Sequence, residues 1–177
     1  MAVIIEGLTV VVRIQSIRTM YKDGLEAFIK AVPNATLCAD GELAAVSFSS
    51  PEQVDTYLLY LKRQGLIYRE NDLSDIVVAD QIYGLRYACE WVEFKRIYWN
   101  HHPQAPIAIC QARPSSFEGV ATPVDWEYEQ SLSRKVRYLD GVAVPKEVTL
   151  LRIENEMDVL QDHTSGDIYY VPLRMRL

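Results

Sequence analysis

The sequence predicts an α+β fold: a βαββαβ run to about Tyr83, then a strand-rich antiparallel half from Gly84 to Leu177. Three observations carry this. Two early segments space their apolar residues as half-buried helices do and carry helix end signals. Asp40-Gly41 sits between two short apolar runs, where a tight hairpin needs it. Beyond Gly84 the helical signals fade and alternation with period two takes over.

Val3 to Ile14 is rich in β-branched residues and interrupted by Gly7, which predicts a bent or bulged strand or two short ones. Asp23 and Glu26 stand at capping-box spacing ahead of Leu25, Phe28, Ile29 and Val32, a helical stripe that Pro33 and Asn34 stop. Thr36 to Ala39 and Glu42 to Phe48 flank Asp40-Gly41, the dipeptide suited to the positive φ angles of a type I′ turn. A second helix is signed by Ser50 as N-cap, Pro51 and Gln53 in its first turn, the stripe Val54, Tyr57, Leu58, Leu61, and Gly65 past its end. Ile76 to Ala79 is then a short apolar strand. Strand, helix, hairpin, helix, strand is the ferredoxin-like order, a frame that hosts many functions and names none.

In the second half Leu85, Tyr87, Cys89 and Trp91 alternate with polar or small residues, and the phase slips at Val92, which predicts a β-bulge there. Ile107 to Ala112 and Val148 to Ile153 read as strands. Residues 123–132 fit a strand through Trp126 and Tyr128, and a helix through Val124, Tyr128 and Leu132. Met157 to Gln161 and Ile168 to Val171 form a hairpin around the turn Asp162 to Gly166. No Pro- or Ser-rich linker occurs, so the expected organisation is a 1–83 subdomain and an 84–177 subdomain packed as one unit.

A net charge of -6 and pI near 5.1 argue against a nucleic-acid partner, which needs clustered Lys and Arg. No run reaches the about 18 apolar residues of a membrane span, and Met1 to Val12 lacks the basic start and cleavage pattern of an export signal. Cys38, Cys89 and Cys110 are an odd number without close spacing, so reduced thiols in a cytoplasmic protein are expected.

The charged pattern that stands out is a pair of acidic ladders. Asp125, Glu127 and Glu129 alternate with Val124, Trp126 and Tyr128; Glu154, Glu156 and Asp158 alternate with Asn155, Met157 and Val159. On strands each ladder would put its acids on one face, a surface that favours a cationic partner. With eleven tyrosines and no catalytic motif, this predicts an acidic protein-binding module, in the manner of an inhibitor or immunity-type antagonist of a basic enzyme. Its expected contacts are Asp125, Trp126, Glu127, Glu129, Glu154, Glu156 and Asp158, with no catalytic residue, metal or cofactor.

The alternative is a small hydrolase-like enzyme using a carboxylate pair, or a metal held by His101 and His102, between the two halves. Adjacent histidines on a strand diverge, and neither a third ligand nor a base beside Cys38 is spaced to help. Self-association through sheet edges, giving a homodimer, is the third reading.

Overall fold

The structure, a computed structural model, describes residues 1–102, 104–138, 146–154 and 157–172. It is mixed α+β with three sheets. The first run is β1 (Ala2–Ile5), β2 (Leu8–Arg13), α1 (Ile14–Met20), α2 (Gly24–Lys30), β3 (Cys38–Ala39), β4 (Leu43–Phe48), α3 (Pro51–Arg63) and β5 (Ile76–Asp80). Then follow β6 (Gly84–Leu85), β7 (Val92–Tyr98), β8 (Pro106–Ala112), β9 (Val120–Ala121), α4 (Leu132–Lys135), β10 (Val136–Tyr138), β11 (Val148–Glu154), β12 (Met157–Asp162) and β13 (Ile168–Pro172). The sheets run β3-β4-β2-β5-β6, β7-β8-β1-β9 and β10-β13-β12-β11. Two compact units result: Met1–Ile97 with Ile107–Trp126, and Tyr98–Pro106 with Glu127–Leu177.

The apolar start of the chain is two strands in two sheets. Gly7, at φ 56, turns the backbone between them, and its N–H and C=O are both held by Gln81 at 2.9 Å. Past the turn, β2 takes the centre of the first sheet, antiparallel to β4 on one side and β5 on the other. Val10, Val12, Ala44, Val46, Ile76 and Val78 line one face of that sheet, against Ile17 from α1, Tyr21 just past its end, Phe28 from α2, and Val54, Leu58 and Leu61 from α3. Val11, Ala45 and Val77 on the opposite face are buried as well, and β1 runs beside β3 and β4. Burial on both faces explains why these strands read as continuous apolar runs. A fully buried side chain such as Leu61 contributes about 2 kcal/mol.

α3 forms as its signals require: the Ser50 hydroxyl accepts from Gln53 N–H at 3.4 Å, and Val54, Tyr57, Leu58 and Leu61 are the buried stripe. The Gln53 side chain reaches Ser49 N–H at 3.2 Å, one residue earlier than a capping box would have it. Gly65, at φ +106, ends the helix against α1; a Cβ there would lie 2.5 Å from the Met20 carbonyl oxygen.

Several expectations need correction. The strand run ends at Arg13, one residue before the expected Ile14, and Ile14 opens a helix to Met20 that the sequence left unassigned. Asp23 is left-handed, at φ 64, and makes no side-chain cap, so α2 begins at Gly24 and ends before Val32. At the β3–β4 turn only Gly41 takes a positive φ, 99; type I′ would need Asp40 positive too. Asp40 instead accepts from Glu42 and Leu43 N–H at 2.9 and 2.8 Å through its carboxylate, an Asx turn that supplies the reversal. The phase slip near Trp91 is no bulge: β6 stops at Leu85 and a new strand in another sheet starts at Val92.

Residues 123–132 are neither the expected strand nor a long helix. Asp125 sits in a turn at φ 60, Tyr128–Gln130 is a 3-10 turn, and α4 starts only at Leu132. The second ladder also fails to lie on one strand. Glu154 ends β11 and Asp158 lies in β12, antiparallel neighbours with Glu154 opposite Met157. Asn155 and Glu156 fall outside the described residues. The β12–β13 hairpin is as expected, with Gly166 at φ 74 and its N–H on the Asp162 carbonyl at 2.9 Å.

The β11–β12 register shifts between Leu150 and Arg152. Leu150 stands opposite Leu160 and Ile153 opposite Asp158, so residues three apart share a face, as only a bulge allows. Among the described residues no helix is long and apolar enough to cross a membrane.

Candidate functional site

The most site-like feature is an open groove of about 1000 Å³ in the first unit, bordered by Arg13, the 68–74 loop, the 87–91 segment and Arg113. Its backbone is fixed from below by one carboxylate. Asp75, only 8% exposed, accepts from the Ser16 hydroxyl at 2.7 Å and from Ile67 N–H at 2.9 Å, and its own N–H donates to the Ile67 carbonyl at 2.8 Å. Arg13 N–H donates to the Asp75 carbonyl at 3.1 Å, which ties the end of β2 to the same point. Above this anchor Glu70 and Leu73 exchange N–H···O bonds of 3.0 and 2.9 Å, and Arg69, Asn71 and Asp72 all hold positive φ, at 53, 51 and 63. Asn and Asp adopt that region readily in turns, whereas Arg69 holds it against the usual preference of a long side chain.

The facing wall comes from the segment after β6. Arg86 N–H donates to the Val78 carbonyl at 2.9 Å and carries the chain along β5, so Tyr87 meets the loop. The Arg69 guanidinium lies 3.2 Å from the Tyr87 ring centroid. Trp91 donates its indole N–H to the Ser74 carbonyl at 2.8 Å, and the Arg13 guanidinium sits 5.6 Å from its ring centroid. Arg113 N–H donates to the Trp91 carbonyl at 2.9 Å. Among the described residues neither Arg13 nor Arg69 has a carboxylate at ion-pair distance, and Arg113 reaches Glu93 only at 3.9 Å. Asp72 and Glu90 also line the groove.

Cys89 lines the groove, half-buried. Burial lifts its thiol above the ordinary range, while the Trp91 backbone N–H and Arg13 pull it back, so it is no activated nucleophile. Cys38 and Cys110 are buried, their thiols pushed up to about 12 by the loss of solvent.

None of the expected acidic contacts among the described residues lines this groove, and they are not gathered on one strand face. Asp125 is an exposed turn residue and Trp126 is half-buried, both in the first unit. In the second unit Glu127 accepts from Gln130 at 3.2 Å, Glu129 faces Arg134 at 3.4 Å and Glu154 faces Arg152 at 2.8 Å. Asp158 is 6% exposed. Asp167 is the main partner of Arg134 and holds that guanidinium's pKa up.

His101 takes φ 58, and the His102 Nδ1 accepts from Gln104 N–H at 3.3 Å. Among the described residues no group of three His, Cys, Asp or Glu could hold a metal.

The sequence reading missed the groove because its residues are scattered from Arg13 to Arg113. The one local sign was the recurrence of Arg beside Tyr at Tyr68-Arg69 and Arg86-Tyr87. Comparisons with protein-family models, with curated proteins and with solved structures find no match to this chain.

Proposed function

We propose that this protein is a protein-binding module and that its partner docks in the Arg13–Arg69–Trp91 groove. The observation that carries the reading is the chemistry of the rim: three arginines with Tyr68, Tyr87 and Trp91 around one open trough. Arg, Tyr and Trp are the side chains that dominate interface energetics, because each combines large contact area with a polar tip. Leu73 and Tyr87 are 63% and 47% exposed at the same rim, which suits an extended segment better than an enclosed small molecule. The partner's matching surface carries carboxylates, the reverse of the basic partner that the acidic composition led one to expect.

Two finer readings belong to the same proposal. Residues 8–80 read as a ferredoxin-like unit, supported by the all-antiparallel order β3-β4-β2-β5 with helices in both crossovers. Three free thiols support a reducing compartment, the cytoplasm.

The test is site-specific photo-crosslinking in cells. A benzophenone side chain replacing Leu73 should give one discrete adduct, reduced by Trp91→Ala. The same group replacing Leu59, 57% exposed on α3, should give none. Equal adducts from both positions would count against the groove.

A further inference from the structure

Resting on that reading, we propose that the groove recognises two carboxylate side chains on one extended segment of the partner, one for each guanidinium held over an aromatic ring. Arg13 and Arg69 lie over Trp91 and Tyr87, at 5.6 and 3.2 Å from the ring centroids. A guanidinium held over a ring by its charge spends no N–H donor on a carboxylate there, so its planar donors can fork a carboxylate of the ligand. The ring also holds the side chain in place before the ligand arrives, which lowers the ordering cost of binding. Elsewhere in the chain Arg134 and Arg152 are engaged by Asp167 and Glu154, so an arginine–carboxylate pair is a contact this protein already makes.

Asp72 and Glu90 share the groove with the arginines, and their field penalises a compact dianion such as a phosphate more than it does two separated single charges. Exposed Leu73 at the rim offers apolar contact to the methylene stems of the acidic side chains. In an extended segment alternate residues point the same way, so an acid-apolar-acid pattern presents both carboxylates to one surface. The inferred ligand is therefore a short acidic stretch with period two.

The test is calorimetric titration of the whole chain with the capped pentapeptide Glu-Leu-Glu-Leu-Glu, with its Gln and Lys counterparts, and with inorganic phosphate. Only the Glu peptide should bind, less tightly as salt is raised. Arg13→Ala and Arg69→Ala should each weaken it about tenfold and the double variant about a hundredfold, as expected for charge-assisted hydrogen bonds. Arg13→Lys and Arg69→Lys keep the charge but lose the planar fork, and should recover little of the loss. Arg18→Ala, on the exposed side of α1, should leave affinity unchanged. Equal binding of the Gln or Lys peptide, or indifference to both arginine substitutions, would overturn the proposal. So would displacement of the Glu peptide by equimolar phosphate, because it would make this a single-anion site. No peptide binding with the Leu73 adduct still present would sink the carboxylate chemistry and leave the docking surface standing; loss of both would sink both.

Discussion

Ser16 on α1 and Asp75 at the foot of the groove loop are joined through the interior: the hydroxyl donates at 2.7 Å to a carboxylate that solvent barely reaches. The second carboxylate oxygen takes the Ile67 N–H at 2.9 Å, so one side chain fastens both the helix and the loop. Asp75→Ala should leave a buried hydroxyl and a buried N–H without partners, at a cost of about 3 kcal/mol in denaturant unfolding. Ser16→Ala, which removes a single donor, should cost about 1 kcal/mol. If the two losses are additive in the double variant, the pair does not act as a unit.

Gly65→Ala should destabilise by about 2 kcal/mol or more. Its φ of +106 excludes a β-carbon comfortably, and the Met20 carbonyl oxygen would lie 2.5 Å from that carbon with no flexible side chain to give way. Gly41→Ala meets nothing within 4 Å and pays only the positive-φ strain, so its loss should be the smaller. Thermal unfolding of the two variants side by side decides between these origins.

The buried thiols make the fold sensitive to alkali. Cys38 and Cys110 titrate near 12 in the folded chain against about 9 when exposed. Unfolding therefore releases protons in this range, and the stabilisation present below pH about 9 is lost as pH rises toward 12. Cys38→Ser with Cys110→Ser should lessen the fall between those limits and leave the part that comes from Tyr21 and Tyr57, whose hydroxyls burial also pushes up. At pH 8 a thiol reagent should label Cys89 in the native chain and reach the other two only after denaturant is added.

β11 should make the protein sticky. Leu150, Leu151 and Ile153 are 48%, 44% and 58% exposed on the strand that ends its sheet. Leu150→Thr with Ile153→Lys should lower concentration-dependent light scattering and change stability by less than about 0.5 kcal/mol each, as exposed positions do. Unchanged scattering would place the association elsewhere.

How far the sequence could be read depends on where each signal lived. α3 was legible because cap, apolar stripe and terminating glycine are all local and agree. α1 was hidden: Ile14 continues a β-branched run, and Arg13 before it makes no side-chain cap, so nothing marks the change of period. Asp125 to Glu129 alternated as a strand would, yet alternation is satisfied equally by a turn followed by a 3-10 turn when no sheet neighbour is present to choose. The groove was illegible for another reason. Arg13 and Trp91 meet through the pairing of β2 with β5 and the path of the chain after β6, contacts between residues far apart in sequence that no window reveals.

β1 carries a cost during synthesis. Its hydrogen-bonded neighbours are Ala108 to Cys110 in β8 and Val120 to Ala121 in β9. At the usual pace of translation those partners leave the ribosome roughly ten seconds after β1 does. Meanwhile the apolar Ala-Val-Ile-Ile stretch waits on the nascent chain with an unfilled edge, a substrate for holdase chaperones and for unwanted pairing with a neighbouring polysome product.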